Sequence, residues 1–122
     1  MQDIMPQLGA GAQLVQSYGA TGFRIANQPY ETPVLVTTGA TFPWSGEWTL
    51  ESFAPIFTVD PLPELLLIGT GARHVLVDPA LRAALKAKGL GVDTMDTGAA
   101  CRTFNILLGE GRLVAAALKL PA

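Results

Sequence analysis

The strongest constraint on the fold is the stretch 92–120, which carries strand, turn, helix, turn and strand patterns in succession. After a short strand pattern, Asp96 and Thr97 supply the start of a helix, because their side chains can accept hydrogen bonds from the free amides of its first turn. Apolar residues then recur at helical spacing as far as Gly109. The run 113–120 is almost continuously apolar, as in a strand buried on both faces. The stretch therefore predicts a strand–helix–strand unit.

The chain before this stretch shows the same alternation of strands and helices. One helix is predicted to begin at its N-cap, Asp78, with Pro79 in its first position and Gly89 just past its end. A shorter helix is predicted at 49–57, with Thr49 as its N-cap. The strand patterns of the expected sheet lie at 33–38, 64–69, 91–95 and 112–119. Because helices separate these strands, the sequence predicts an α/β domain with a mostly parallel central sheet.

The N-terminal part of the chain carries a different pattern. Two short runs, 13–18 and 21–27, flank a glycine and predict a β-hairpin. Residues 1–11 are expected to form a loose N-terminal segment, and 39–46 a loop. We interpret 1–122 as a single domain, since a chain of this length can bury a core without disulfides or metals.

Composition and charge exclude several classes of protein. Hydrophobic residues make up 49% of the chain and charged residues only 15%, which excludes intrinsic disorder and indicates that apolar surface meets a partner. The net charge of −2 argues against a nucleic-acid binder. The charge is unevenly distributed, because 1–66 carries six acids and one base whereas 67–122 carries seven bases and four acids.

The sequence also bears on the compartment. A single cysteine excludes an internal disulfide and fits a reducing compartment. The chain shows neither a signal-peptide pattern nor an apolar stretch of transmembrane length. We therefore expect a cytoplasmic protein.

The first candidate site is Gly69-Thr70-Gly71, which follows a predicted buried strand. Loops in this position line the crevice where open α/β sheets bind ligands, and glycines let backbone amides approach an anion. However, the full G-x-G-x-x-G pattern is missing, and the next predicted helix begins only at Pro79, so no helix N-terminus follows to hold a phosphate. A tight turn is the favoured interpretation, and a small-anion or nucleotide site is the alternative.

The second candidate is Cys101, in the first turn of the predicted helix after Asp96. The helix dipole would lower the pKa of a thiol there and favour a reactive thiolate. Cys101 also shares the apolar face with Phe104 and Leu108, where a buried cysteine acts as a small hydrophobic side chain. We favour packing, because catalysis needs a nearby base and nothing in the sequence links His74 to Cys101.

The third candidate is the pair Arg102 and Asn105, which lie one helical turn apart on the polar side of the same helix. They could bind a carboxylate or the backbone of a partner. Alternatively, Arg102 pairs with Asp96 or Glu110, and Asn105 helps to end the helix. The sequence leaves both interpretations open.

Two further groups of residues are candidates for contact with a partner protein. Four basic residues could form a patch beside the acidic segment 47–64, although a solvated helix face explains most of them; they are Arg73, Arg82, Lys86 and Lys88. Trp44 and Trp48 flank a predicted turn and could anchor a partner, although core packing is the commoner use of such side chains.

Familiar catalytic and metal-binding motifs are missing from the sequence. There is no Walker loop, paired-cysteine metal site, H-E-x-x-H or G-x-S-x-G. The chain also contains one histidine and one cysteine. We therefore predict no catalytic residues, no cofactor and no metal, which favours a protein that is not an enzyme.

Three blocks occur in an order that resembles a known family. They are LLIGTG at 66–71, MDTGAACRTFN at 95–105 and EGRLVAAAL at 110–118, with PVLV at 33–36 and Trp44 ahead of them. Together they resemble a small family of largely uncharacterised proteins. Its members include the mitochondrial assembly factor three of respiratory complex I, the human adipogenesis-associated domain protein and many short bacterial and archaeal proteins.

The resemblance implies a three-layer α/β fold with a mixed central sheet whose last strand is antiparallel. The short connection between the preceding helix and the strand at 112–119 leads to the same expectation. The mitochondrial relative is a non-enzymatic assembly factor that works with a partner factor near the inner membrane. No catalytic residues are established for the family, so the resemblance assigns none here. Since this chain shows no mitochondrial targeting extension, we expect a bacterial member.

The sequence thus predicts a protein-binding or assembly module, with respiratory complex I biogenesis as its sharpest form. The expected partner is another protein, such as a respiratory-complex subunit or a co-assembly factor. Peripheral membrane association and a homo-oligomer are both compatible with this prediction. The rival interpretation is an enzyme or small-ligand binder that uses the crevice at Gly69–Gly71 with Arg102 or Cys101. A self-associating structural protein is a third.

Overall fold

The computed structural model describes residues 11–121, which form two sheets and three helical segments. The first sheet is antiparallel and contains β1 (Val15–Gly19), β2 (Gly22–Ile25) and β3 (Gln28–Tyr30). The central sheet contains β4 (Val34–Val36), β5 (Thr41–Pro43), β6 (Leu65–Gly69), β7 (Gly91–Met95) and β8 (Val114–Leu118). Its strand order is β5-β4-β8-β6-β7. The helical segments are a 3-10 helix (Leu50–Thr58), α1 (Pro79–Ala87) and α2 (Thr97–Gly109).

The central sheet separates two apolar cores, so the predicted three-layer α/β fold is confirmed. On one face, α2 and the small sheet cover it with side chains that include Phe104 and Ile25. On the other face, the 3-10 helix and α1 cover it with side chains that include Phe53 and Leu85. The middle strand is β8, whose five residues are all buried. The apolar run at the end of the stretch 92–120 is therefore the doubly buried strand that its pattern predicts.

The strand directions correct one expectation. The last strand, β8, is antiparallel to β4 but parallel to β6, which is also parallel to β7. The prediction that 112–119 runs antiparallel to 64–69 and 91–95 is therefore wrong, and so is the prediction that 33–38 runs parallel to them. The physical reason is that α2 itself forms the crossover. It carries the chain back along the sheet, so β8 starts at the same edge as β7 however short the final loop is.

The helices begin at the predicted N-cap residues. Asp78 Oδ1 accepts a hydrogen bond from Ala80 N at 2.9 Å and begins α1. Asp96 Oδ1 accepts from Ala99 N at 2.9 Å and begins α2. Thr49 caps the helix predicted at 49–57, but that segment is a 3-10 helix. No helix among residues 11–121 is long and apolar enough to cross a membrane.

The N-terminal hairpin is confirmed, and it gains a third strand. β2 turns into β3 through Ala26 and Asn27, whose φ angles are +49° and +67°, as in the tight turns that join hairpin strands. The pattern missed β3 because Pro29 disfavours a strand interior. The predicted loop 39–46 likewise contains β5, a short edge strand paired with β4. Residues 1–10 of the segment predicted to be loose lie outside the described residues.

Candidate functional site

The Gly69–Gly71 loop lies where the predicted crevice was expected, beyond the carboxyl end of β6. A Cβ atom on Gly69 would lie 2.9 Å from the Thr97 Cα and 3.1 Å from both Ala100 Cβ and Leu118 Cδ2. Contacts this close are not tolerated against backbone, so only glycine lets α2 sit directly on the end of the sheet. The first glycine of the motif therefore has a packing role.

The backbone amides of the loop are already used inside the protein. Thr70 N donates to Met95 O at 2.9 Å, and Gly71 N donates to Thr97 Oγ1 at 2.9 Å. Thr70 Oγ1 accepts from Val75 N at 3.0 Å. These bonds make a tight turn, the favoured interpretation, and they leave neither amide free to bind an anion.

Thr97 is a structural centre that the sequence analysis used only as a helix start. Its buried hydroxyl donates to Lys119 O at 2.7 Å while accepting from Gly71 N. Its own amide donates to Gly71 O at 2.9 Å. Thr97 thus joins the start of α2, the loop after β6 and the segment after β8. The carboxyl ends of the parallel strands β6, β7 and β8 meet at this edge, which is the one signal that could have predicted this role.

An open cleft of about 660 Å³ lies beside the loop. It is lined in part by Thr70, Gly71 and Val75, with the cationic side chains of Arg73 and Lys119. No acidic side chain lines it among residues 11–121. The cleft occupies the expected place and has the volume of a ligand site, but the predicted residues of the α2 helix are not part of its lining.

Arg102 and Asn105 instead join α2 to the small sheet. Asn105 Oδ1 accepts from Val15 N at 2.9 Å, and its Nδ2 donates to Val15 O at 2.8 Å. Arg102 Nη1 donates to Tyr18 Oη at 2.6 Å. We call these four residues, Val15, Tyr18, Arg102 and Asn105, the α2–β1 seam. The backbone that Asn105 binds is therefore a strand of its own chain, and Asn105 lies one turn before the end of α2.

Cys101 is fully buried in the core between α2 and the central sheet. Burial raises the pKa of its thiol to about 12, although the nearby charge of Arg102 acts in the opposite direction. A thiol with this pKa is neutral at physiological pH, which agrees with the packing interpretation. His74, the single histidine, lies at the surface with its Nε2 2.8 Å from Thr94 Oγ1.

The two tryptophans occupy different environments. Trp44 is only 4% exposed, and its Nε1 donates to Ser52 Oγ at 3.0 Å. Its ring meets Trp48 edge to face, with the centroids 5.7 Å apart. Trp48 is partly exposed, and Lys119 Nζ lies 5.0 Å from its ring centroid. Trp44 is thus a core residue, and Trp48 is the one that reaches the surface beside the cleft.

The sequence analysis missed an exposed ridge whose tip is apolar. Leu76 is 91% exposed and Val75 is 43% exposed, in the loop before α1. We call residues 73–76 the Leu76 ridge. Hydropathy alone could not find it, because an exposed leucine in a loop has the same signature as a buried one.

The ridge has a concave surface on each side. Val75 and Arg73 border the 660 Å³ cleft, whereas Leu76 borders a groove of about 380 Å³ along α1 that also includes Arg82 and Lys86. Of the four residues of the predicted basic patch, Arg73 therefore lies in the ridge, and Arg82 and Lys86 lie in the groove beside it. The fourth, Lys88, has its Nζ 5.3 Å from the centre of the Phe57 ring.

Comparison with known proteins finds a family model described as "Protein of unknown function (DUF498/DUF598)", which matches residues 15–119. The chain is 34% identical to NADH dehydrogenase [ubiquinone] 1 alpha subcomplex assembly factor 3 of Danio rerio, across 97% of this chain and 70% of that protein. The human protein of the same name is 30% identical, across 97% and 66%. An uncharacterized protein of Rhodobacter capsulatus is 36% identical, across 89% and 86%. The chain spans as little as 59% of the assembly factors, in the case of Drosophila melanogaster.

Solved structures share the fold along nearly the whole chain. A protein of Bartonella henselae described as an outer membrane protein is 34% identical, with a TM-score of 0.81 across 90% of this chain and 96% of that one. A Bordetella pertussis protein described as an Mth938-like domain is 28% identical, with a TM-score of 0.78 across 99% and 94%. A Pyrococcus horikoshii protein is 15% identical, with a TM-score of 0.71 across 88% of this chain and 98% of that one. At this identity, the similarity shows only that the fold is shared.

Proposed function

The chain belongs to the DUF498/DUF598 family, and on that premise we propose that it is a non-enzymatic, protein-binding module that serves the assembly of respiratory complex I. The observation that carries this proposal is the extent of its similarity to proteins named as complex I assembly factors. They match 97% of this chain in both zebrafish and human. The described domain thus corresponds to the part of these assembly factors that matches this chain.

The use of polar side chains supports a binding function over a catalytic one. Arg102 and Asn105 are occupied in the seam, where they hold α2 to the small sheet. Cys101 is buried, and its thiol pKa is raised to about 12. Apolar side chains face solvent instead, at Val75 and Leu76. Contiguous exposed apolar area marks protein-interaction surfaces, and here Leu76 adjoins the groove along α1.

We place the protein in the cytoplasm of a bacterium, where its partner would be a subunit of the complex or a second assembly factor. Trp48 remains a candidate partner contact, since it is the tryptophan that reaches the surface. The partner and the compartment are both part of the proposal.

The test is deletion of the gene in a bacterium that encodes this chain and complex I. We expect less fully assembled complex on native gels and slower NADH oxidation by isolated membranes, with both restored by the wild-type gene. Abundance of the individual subunits should be measured in parallel, since an assembly defect lowers the assembled form before it lowers synthesis. Unchanged assembly in the deletion strain would contradict the proposal.

One observation favours a second function, the binding of a small anion in the 660 Å³ cleft. Arg73 and Lys119 both line that cleft together with Thr70 and Gly71, and clefts of this volume commonly hold ligands. A thermal-shift screen of nucleotides, phosphates and short carboxylates tests it. Saturable stabilisation that is lost in Arg73→Ala and Lys119→Ala but kept in Arg102→Ala would support an anion site in this cleft.

A further inference from the structure

The backbone of the Leu76 ridge is anchored to the fold although its tip is exposed. Thr70 Oγ1 donates to Arg73 O at 2.9 Å and accepts from Val75 N at 3.0 Å. On the far side, Val77 is buried in the core formed with α1. The backbone is thus anchored on both sides of Leu76, whose side chain has 91% of its surface exposed. A loop whose backbone is already ordered loses little backbone freedom when a partner covers it.

The charged side chains that line the two concave surfaces beside the ridge are all cationic. The cleft and the groove beside it contribute Arg73, Lys119, Arg82 and Lys86, and no acidic side chain lines either one among residues 11–121. Asp78 lies nearby, but its carboxylate accepts the Ala80 amide as the cap of α1. A partner that covers Leu76 must therefore meet apolar surface in the middle and positive charge on both sides.

We propose that the Leu76 ridge docks an acidic segment of a partner protein, one that places apolar side chains in the groove along α1 and carboxylates beside the flanking cations. This inference rests on the proposed protein-binding function and names the chemistry of the partner. The groove of about 380 Å³ favours a protein segment over a membrane, because a lipid surface offers no side chain to fill it. The flanking cations favour a negatively charged segment, and Leu76 provides its apolar contact.

The experiment uses the full chain in its native bacterium, with Leu76 replaced by the photocrosslinking residue p-benzoylphenylalanine. The matched control carries the same residue at Ile106, which is 61% exposed on α2. The crosslinked peptide is identified by mass spectrometry. We expect a peptide that is rich in Asp and Glu and contains apolar residues, obtained from position 76 and not from position 106. A neutral or basic peptide would overturn the inference.

A synthetic peptide with the crosslinked sequence then gives the affinity. We expect Leu76→Ala to weaken binding about tenfold or more, as for an anchor residue, and Ile106→Ala to leave it unchanged. The double variant Arg82→Glu/Lys86→Glu should abolish binding, and added salt should weaken binding to the wild type. Binding that is indifferent to both salt and charge reversal would contradict the proposed chemistry. Melting temperatures of all variants verify that each protein is folded.

Two other occupants of the ridge give different results. Co-sedimentation with vesicles of equal parts phosphatidylcholine and phosphatidylglycerol, lost in Leu76→Ala, would assign the ridge to a membrane and overturn the inference. A dimer in sedimentation velocity that Leu76→Asp dissociates would assign the ridge to a second copy of the chain and would also overturn the inference. The chain itself contains a segment of the expected chemistry that a second copy would offer, since Leu62 is 51% exposed and lies between Asp60 and Glu64.

The outcome is separable from that of the proposed function. Suppose that the deletion strain assembles complex I normally while position 76 still crosslinks to an acidic peptide. That result would leave the docking inference standing and remove the assembly role. Assembly that depends on this protein but is fully restored by Leu76→Ala, with no crosslink at position 76, would remove the docking inference alone.

Discussion

The α2–β1 seam and the Leu76 ridge present opposite kinds of side chain to opposite surroundings. In the seam, the amide of Asn105 satisfies both the N–H and the carbonyl of Val15. On the ridge, Leu76 is 91% exposed, and nothing in the described chain covers it. A polar group whose hydrogen bonds are complete inside the fold has little left to offer a partner. An apolar group left in water gains by being covered, so the ridge is the better candidate for contact with another molecule.

The largest effect is expected where α2 rests on the sheet, beneath the seam. A Cβ atom on Gly69 would lie 2.9 Å from the backbone of Thr97, so Gly69→Val should lower the free energy of unfolding by about 3 kcal/mol. The loop that carries the ridge follows directly, and this substitution should disturb both regions. Denaturant titration measures the loss. A variant as stable as the wild type would show that α2 can shift without cost.

Asn105→Ala separates the seam from the ridge. It leaves the amide and carbonyl of Val15 without a partner in a partly buried place, so we expect a loss of about 2 kcal/mol. Asn105→Asp should lose at least as much, because its carboxylate accepts from Val15 N but brings a second, charged acceptor against Val15 O. Both variants should keep the Leu76 crosslink. Loss of the crosslink in a folded Asn105→Ala protein would mean that the two regions are coupled.

Cys101 allows a pH test of the core behind the seam. The folded pKa of about 12 lies above the ordinary thiol value of 9.0, so above pH 9 the unfolded state loses the thiol proton while the folded state keeps it. Stability should therefore be complete below pH 9 and fall as pH rises, by up to about 1.4 kcal/mol per pH unit from this group. Cys101→Ala should flatten that fall relative to the wild type. Thiol reagents should label the native protein slowly at neutral pH, and rapid labelling would indicate an accessible thiolate.

The smallest effect on stability is expected at the ridge. Leu76→Ala removes a side chain that is 91% exposed, so the free energy of unfolding should change by no more than about 0.5 kcal/mol. Thermal denaturation compares it with Asn105→Ala under the same conditions. A substantial loss of stability would show that Leu76 packs against its own chain in solution, and the contrast between the two regions would disappear.

Local features were predictable from the sequence, and long-range pairings were not. The starts of α1 and α2 followed from Asp78 and Asp96, because a cap and the amides it binds are only a few residues apart. The direction of β8 depends on how α2 folds back over the sheet, which its short flanking loops do not encode. Secondary structure is therefore easier to predict here than the strand directions.

The same distinction explains the outcome at the candidate site. Asn105 was recognised as polar and suitably placed, but its partner, Val15, is 90 residues away in the sequence. Cys101 was assigned to packing correctly because its neighbours on the same helix face, Phe104 and Leu108, are local. The exposure of Leu76 had no local signal, since it depends on where the loop after β6 leaves the core.

The position of β8 has a consequence for biosynthesis. Among residues 11–121 it is the last strand in sequence order, yet it lies between β4 and β6 in the middle of the central sheet. Until residues 114–118 have left the ribosome, β4 and β6 both present unpaired edges. The two halves of the sheet therefore cannot join before β8 is made, and until then the nascent chain carries two strand edges that can pair wrongly. Completion of the central sheet awaits the synthesis of this one strand.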